Sequence, residues 1–403
     1  AGLGARTAIV ERLFLGGDCL NFGCVPSKAL LRCARAYADA RDGTAFGVVL
    51  DGPPRVDFAA VMERMRRIRA KISVNDSVDR LRGLGIDVFF GDARFTAHDA
   101  VQVGEATLRF SRAIIATGAR AAVPSIPGLS EAGYLTNESV FSLTSLPRRL
   151  AVVGAGPIGC ELAQAFARFG SEVFLLEGER RILPRDDADA AKIIEAALRR
   201  DGVSIHCGAK AASVRVDGSD RVVELDCDGE RREVRADAIL VAVGRAPNVE
   251  GLDLERAGVR YDRAGVSVSD HLQTTNARIY AAGDIASSYK FTHMADSLAR
   301  IALQNALVLR TARASKLTVP WCTYTDPEVA HVGLSKEEAE KKGIRVATFD
   351  APLAEVDRAL LDGEDEGFLR VHLRAGSDQI LGATLVSRHA GETISEITLA
   401  MTS

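Results

Sequence analysis

Two stretches of this chain read alike at a fixed offset, and the repeat restricts the fold more than any other feature. Residues 1–11, Ala-Gly-Leu-Gly-Ala-Arg-Thr-Ala-Ile-Val-Glu, read as a helix end, a turn at Gly4 and an apolar strand closing on Glu11. Residues 167–177, Ala-Arg-Phe-Gly-Ser-Glu-Val-Phe-Leu-Leu-Glu, follow the same plan with Gly170 and Glu177. Both the glycines and the glutamates are 166 positions apart. In the second copy a strand, Arg149–Val153, and the run Gly154-Ala155-Gly156-Pro157-Ile158-Gly159 come first. A strand, a G-x-G-x-x-G turn, an amphipathic helix through Phe169 and a strand ending on an acid make a dinucleotide-binding βαβ unit. The glycines allow a tight turn and bring helix N-terminal N–H groups close to a pyrophosphate. The closing acid accepts from a ribose hydroxyl; the alternative for Glu11 and Glu177 is a solvated strand-end charge. By the same offset, the first copy's fingerprint falls about a dozen residues before Ala1, so the chain is expected to begin inside a second such unit.

A second feature carries chemistry. In Gly16-Gly17-Asp18-Cys19-Leu20-Asn21-Phe22-Gly23-Cys24-Val25-Pro26-Ser27-Lys28 two cysteines stand five positions apart. A regular helix would separate them by about 7.5 Å along its axis, whereas a disulfide prefers Cα atoms within roughly 7 Å. A bond therefore requires a break in the helix, which Asn21 and Gly23 permit. Pro26 suits a first helical turn, which puts Cys24 near a helix N-terminus, where the dipole favours a thiolate. Lys28, one turn on, adds positive charge, and it is one of only nine lysines against 42 arginines. Read by residue type alone, the pair is either redox-active or two small residues in an ordinary loop. Zinc is disfavoured because no second Cys/His pair follows at ligand spacing.

Composition narrows the remaining classes. At 403 residues the chain should hold two or three domains. With 47% hydrophobic and 26% charged residues it has the make-up of a soluble globular protein. A formal net charge of -3 points to neither nucleic acid nor acidic membrane. No apolar run reaches the ~18 residues of a membrane span. Seven scattered cysteines do not form a secreted disulfide framework, and a cytoplasmic location is expected.

Further along, a helix toward Ala40 is followed by a Gly/Pro loop over 41–54 and helix from Phe58 to about Leu84, interrupted near Asn75-Asp76. Short strands at Ile86–Phe90, Val101–Val103, Thr107–Phe110 and Arg112–Ala116 suggest a small antiparallel addition. Ile114-Ile-Ala-Thr117-Gly118 is an apolar strand entering a small-residue turn. Val222–Cys227 and Val234 read as a hairpin, Ala238–Val243 as a buried strand and Gly244-Arg245-Ala-Pro-Asn248 as a turn. Ile279-Tyr-Ala-Ala-Gly283-Asp284 ends a strand on an acid that is either a polyol ligand or a helix cap. Beyond Pro320, Trp321, Cys322 and His331 are expected to pack, Ser335 to cap a helix, and Glu392–Thr402 to be helical.

Taken together, these segments resemble the flavoprotein disulfide reductases, the class I pyridine nucleotide-disulfide oxidoreductases, in order and over nearly the whole chain. The resemblance implies an α/β fold: two doubly wound, Rossmann-like domains plus an α+β C-terminal interface domain. It assigns 1–122 and 251–317 to an FAD domain lacking its first strand and fingerprint, 123–250 to an NAD(P) domain, and 318–403 to a dimerisation domain continuing past Ser403. It implies electron flow from a nicotinamide through FAD to a Cys19–Cys24 disulfide. Cys19 would meet the substrate, Cys24 would face the flavin, and Lys28 would lie beside the flavin paired with Glu161. Glu11, Gly17, Lys28, Thr117, Gly118, Gly283 and Asp284 would contact FAD; Gly154, Gly156, Pro157, Ile158, Gly159, Glu177 and Gly244 would contact NAD. Arg245 would be structural or interdomain. A homodimer is implied, whose partner would supply an acid–base His-Glu dyad; His389-Ala-Gly-Glu392 is not that dyad. No resident metal is expected.

The run Phe291-Thr-His-Met-Ala-Asp-Ser-Leu-Ala-Arg300 resembles the mercuric-reductase-like branch, so the acceptor is expected to be a metal ion or a small thiol or disulfide, with Hg(II) suiting two thiolates. Glu177 favours NADH over NADPH, although Arg180 and Arg181 offer charge for a 2′-phosphate, and Pro157 replaces an aromatic nicotinamide gate. The competing readings are a dihydrolipoamide dehydrogenase and, from another class, a non-catalytic dinucleotide-binding redox sensor or inactive fragment.

Overall fold

The repeat is present as two modules of one plan. The computed structural model describes residues 1–2 and 4–403 and divides into two units. The first comprises Ala1–Pro26, Met65–Ala121 and Arg245–Leu317; the second comprises Ser27–Arg64, Ala122–Gly244 and Thr318–Ser403.

In the first unit, strand Thr7–Glu11 pairs in parallel with Ile86–Phe90. Strand Ala113–Ile115 pairs in parallel with Ile279–Ala281. Between these pairs runs an antiparallel three-stranded sheet of Ala93–Ala97, Ala100–Val103 and Ala106–Arg109. Only part of the expected antiparallel addition is therefore antiparallel: Ile86–Phe90 and Ala113–Ile115 are parallel strands. Their period-2 pattern shows which face is buried and says nothing of strand direction. Helix Phe58–Ser73 ends in a 3-10 turn, Val74–Asp76, and the chain resumes as helix Val78–Gly83, capped by the Ser77 hydroxyl accepting from Arg80 N–H.

In the second unit, a parallel sheet has the order Val203–Cys207, Glu172–Glu177, Arg149–Val153, Ala238–Val241. A three-stranded antiparallel sheet, Ala209–Asp217, Asp220–Cys227 and Glu230–Ala236, occupies the place its counterpart has in the first unit. Leu150, Ala151 and Val152 are fully buried, as expected of a parallel strand covered on both faces. Helix Pro157–Phe169 follows the fingerprint, with Pro157 in its first turn and Gly170 ending it at φ +106°. That helix is buried almost all round; Phe166 and Phe169 pack their rings against Phe58 at 6.0 Å.

Residues 318–403 contribute a five-stranded antiparallel sheet in the order Pro320–Thr323, Glu328–Gly333, Ile380–Ser387, Phe368–Arg374, Val346–Pro352. Helix Ala390–Thr402 lays Ala390 and Ile394 on Ala330, Val332, Ala383 and Leu385. Ser335 and Glu338 form a reciprocal capping box at helix Lys336–Lys341. The Trp321 and His331 rings lie 4.4 Å apart, tilted by 34°, and both His331 nitrogens are hydrogen-bonded, so these are packing residues. Among the described residues, no helix is long and apolar enough to cross a membrane.

Candidate active site

The cysteine segment folds as two helices broken at one residue. Helix Gly17–Phe22 carries Cys19; Gly23 breaks it; helix Cys24–Arg41 begins on the second cysteine. Gly16 and Gly17 enter with φ of 89° and 61°, which glycine adopts freely. Gly23 is required by a close approach. A Cβ there would lie 3.1 Å from both the carbonyl and a carboxylate oxygen of Asp18, and 3.2 Å from Cys19 Cα. Asn21 stays helical, donating to the carbonyls of Leu15 and Gly17, so Gly23 alone makes the break. The structure holds both cysteines as thiols. Cys19 is hydrogen-bonded to Cys24; that bond and partial burial push the Cys19 thiol well above its ordinary range. Cys24 Sγ lies 3.1 Å from Thr292 Oγ1. Cys24 is exposed and Cys19 partly buried.

In the second unit, Lys28 and Glu161 meet. Lys28 Nζ donates to Glu161 Oε2 at 2.9 Å and Oε1 at 3.2 Å. Glu161 is only 4% exposed, and its Oε1 also accepts from Tyr324 N–H at 2.9 Å. The ammonium sits 4.4 Å above the Tyr324 ring. The buried carboxylate is therefore paired and hydrogen-bonded, which a buried charge requires. Burial pushes the Tyr324 phenol upward, so that group stays protonated.

The residues assigned to the flavin dinucleotide lie in the first unit, apart from Lys28. Glu11 ends its strand and accepts from Leu13 N–H at 2.8 Å. Strands Ala113–Ile115 and Ile279–Ala281 are in register, so their carboxyl ends present Thr117-Gly118 and Gly283-Asp284 side by side. Gly118 has φ +67° and Gly283 φ +80°. The Thr117 hydroxyl does not face outward: it donates to Asn248 O at 2.9 Å, and Asn248 Nδ2 returns a bond to Thr117 O. Asn248, quoted in the sequence only as part of a turn, is thus the residue that holds this edge. Arg245 is bound within its own unit, with Nη2 2.6 Å from Ala119 O and 3.1 Å from Asp18 Oδ2. Its Nε lies 3.5 Å from Asp284 Oδ2 and has no hydrogen-bond partner, although buried. Burial raises Asp284 above the usual carboxylate range against the pull of Arg245 and Lys290. Paired strand ends, an acid and an orphaned buried donor fit a dinucleotide lying across the carboxyl edge of parallel strands.

The fingerprint separates into distinct glycine roles. Gly154 turns at φ +103°, and a Cβ there would lie 2.7 Å from Ala242 O. A Cβ on Gly159 would lie 1.9 Å from Gly154 O, so only glycine lets the helix pack on the strand end. Gly156 has open space around it and caps helix Pro157–Phe169, leaving room for a pyrophosphate. Ile158, on the first turn, is 36% exposed, and Gly244, at φ +128°, ends the unit's second segment. Glu177 Oε2 accepts from Ala155 N–H at 2.7 Å and Oε1 from Glu179 N–H at 3.0 Å. Arg181 is not available to a phosphate: its guanidinium donates to the carbonyls of Leu183, Pro184 and Asp186. Gly159→Ala is expected to weaken pyridine-nucleotide binding at least tenfold by forcing the helix off the turn; titration calorimetry would measure it.

The family model described as "Pyridine nucleotide-disulphide oxidoreductase" matches residues 1–299, and its dimerisation domain matches residues 319–403. A mercuric reductase of Staphylococcus aureus is 36% identical over 399 residues, covering 99% of this chain and 73% of that protein. A dihydrolipoyl dehydrogenase of Bacillus subtilis (strain 168) is 33% identical over 418 residues, covering 99% and 87%. The HOCl-induced flavoprotein disulfide reductase RclA from Escherichia coli superposes with a TM-score of 0.88 at 28% identity, covering 99% of this chain and 88% of that one.

Proposed function

The chain belongs to the pyridine nucleotide-disulphide oxidoreductase family, and from that premise we propose that it moves electrons from NADH to a Cys19–Cys24 disulfide and on to Hg(II), as a mercuric-reductase-like homodimer. The observation that carries this reading is the break at Gly23, which puts one thiol against the other at the start of helix Cys24–Arg41. Two thiolates suit a soft metal ion. FAD, when bound, supplies the two-electron relay between nicotinamide and disulfide. In this chain Glu11, Gly17, Thr117, Gly118, Gly283 and Asp284 would hold it, and Lys28 would stabilise developing negative charge electrostatically.

Each protein group has a defined task. Cys19 retains its proton through the bond to Cys24 until a base removes it, and is the thiol that engages the acceptor. Glu161 fixes the Lys28 ammonium. Gly156 and its helix take the nicotinamide dinucleotide's pyrophosphate, and Glu177 its ribose. Because backbone N–H groups fix both Glu177 oxygens, the carboxylate keeps lone pairs for ribose hydroxyls and repels a 2′-phosphate. With Arg181 engaged, Arg180 is the only arginine of the pair left as a phosphate contact.

The acceptor is tested by comparing NADH-dependent Hg(II) reduction with dihydrolipoamide-dependent NAD reduction. Hg(II) turnover supports the reading; lipoamide turnover without it assigns the chain to the dehydrogenase branch. For the nicotinamide, Glu177→Ala is expected to shift the kcat/KM ratio toward NADPH by about tenfold or more. An unchanged ratio in steady-state kinetics would place the discrimination elsewhere.

A further inference from the structure

We propose that Thr292 is a positioning residue that fixes the negative charge of the reduced pair on Cys24. The inference rests on the redox-dithiol reading above and goes beyond it to say what decides which sulfur carries the charge. Thr292 Oγ1 is 3.1 Å from Cys24 Sγ, within range for a bond to sulfur. A thiolate can only accept, so once Cys24 is ionised the hydroxyl is the donor.

The local sequence makes this contact unusual. Helix Thr292–Leu307 has 16 residues, and its cap position is Phe291, which makes no side-chain cap bond. Helices ordinarily place Ser, Thr, Asp or Asn at the cap to satisfy their first N–H groups. Here the threonine stands one residue later, and its hydroxyl goes to the sulfur. Cys24 is itself the first residue of the 18-residue helix Cys24–Arg41. One sulfur thus belongs to one helix N-terminus and is hydrogen-bonded by the first residue of another, so two positive helix ends act on it. Cys19, in contrast, lies inside the short helix Gly17–Phe22 and is partly buried; Thr292 also pulls its thiol downward, but the bond to Cys24 and burial outweigh that pull and leave the Cys19 thiol raised.

Of the charged groups on these elements, Lys28 is paired with Glu161 and Asp296 with Arg300. Asp18 is paired with Arg245, and His293 stacks on Phe291 at 5.6 Å. Reduction of the pair takes two electrons from NADH: the S–S bond breaks, one proton goes to Cys19, and Cys24 is left as the thiolate. Thr292 stabilises that distribution by donating to the charged product.

The test uses the FAD-loaded protein reduced with dithiothreitol, so it does not depend on turnover. Iodoacetamide labelling of Cys19 and Cys24 is followed against pH by peptide mass spectrometry. In Thr292→Val the midpoint for Cys24 labelling is expected to rise by about one pH unit, a roughly tenfold slower reaction below the midpoint. Thr292→Ser should restore it. Thr292→Ala, which removes the hydroxyl without adding a branched side chain, should behave as the valine variant. An unchanged Cys24 midpoint in both the valine and alanine variants would overturn the proposal, as would failure of serine to restore it. Failure of the redox reading would show separately, as NADH failing to expose the two thiols in the unaltered protein.

Discussion

Replacing Cys19 by serine should lower NADH-dependent turnover of any thiol or metal acceptor by about 10³-fold or more, the scale seen when a reacting nucleophile is removed. NADH affinity should be unchanged, because the groups proposed to bind it, Gly154–Gly159 and Glu177, do not include Cys19. The combination separates the readings. An enzyme whose electrons pass through the dithiol loses turnover and keeps nucleotide affinity. A dinucleotide-binding sensor has no acceptor turnover to lose. Steady-state kinetics with calorimetric NADH titration gives both numbers, and residual turnover within tenfold of the unaltered protein would remove Cys19 from the reaction.

The second large effect is on stability. Lys28→Met leaves Glu161 buried with its charge answered by one backbone N–H, from Tyr324. Breaking a buried pair by removing one partner is strongly destabilising. The Lys28 side chain is 38% exposed, so the expected loss is about 2–3 kcal/mol, below the cost for a fully buried pair. For a chain of 403 residues that corresponds to roughly 2–4 °C in melting temperature. Adding Glu161→Gln removes the orphaned charge and should recover most of the loss, while turnover stays low because the positive charge is still absent. A double variant no more stable than Lys28→Met, in a thermal melt, would mean the loss came from packing over Tyr324.

Much of this architecture is legible in the residues, for identifiable reasons. The order of elements repeats beyond the glycines and glutamates, though the 166-residue spacing does not: each module continues with a parallel partner strand and a three-stranded antiparallel sheet. Strand Ala209–Asp217 was not legible because it mixes small and charged residues around an irregularity at Ala211/Ser213. Ala93–Ala97 buries one side chain fully, Phe95, too little for a clear alternation. Strand direction depends on distant partners, which is why Ile86–Phe90 and Ala113–Ile115 were misassigned. The Lys28–Glu161 pair, 133 positions apart, came from family resemblance; helix periodicity alone leaves Glu161 a surface charge. Thr292 and Asn248 were missed for a related reason. Each acts through hydrogen bonds that span 268 or 131 positions, and no local pattern encodes such a contact.

The central claim is that Cys19 and Cys24 are the pair NADH reduces. The most direct measurement is differential alkylation of the oxidised, FAD-loaded protein before and after one equivalent of NADH under anaerobic conditions, with each of the seven cysteines quantified by peptide mass spectrometry. The account predicts that label appears on Cys19 and Cys24 together, after NADH and not before. Label already present on both before NADH, or absent from both afterwards, would contradict it.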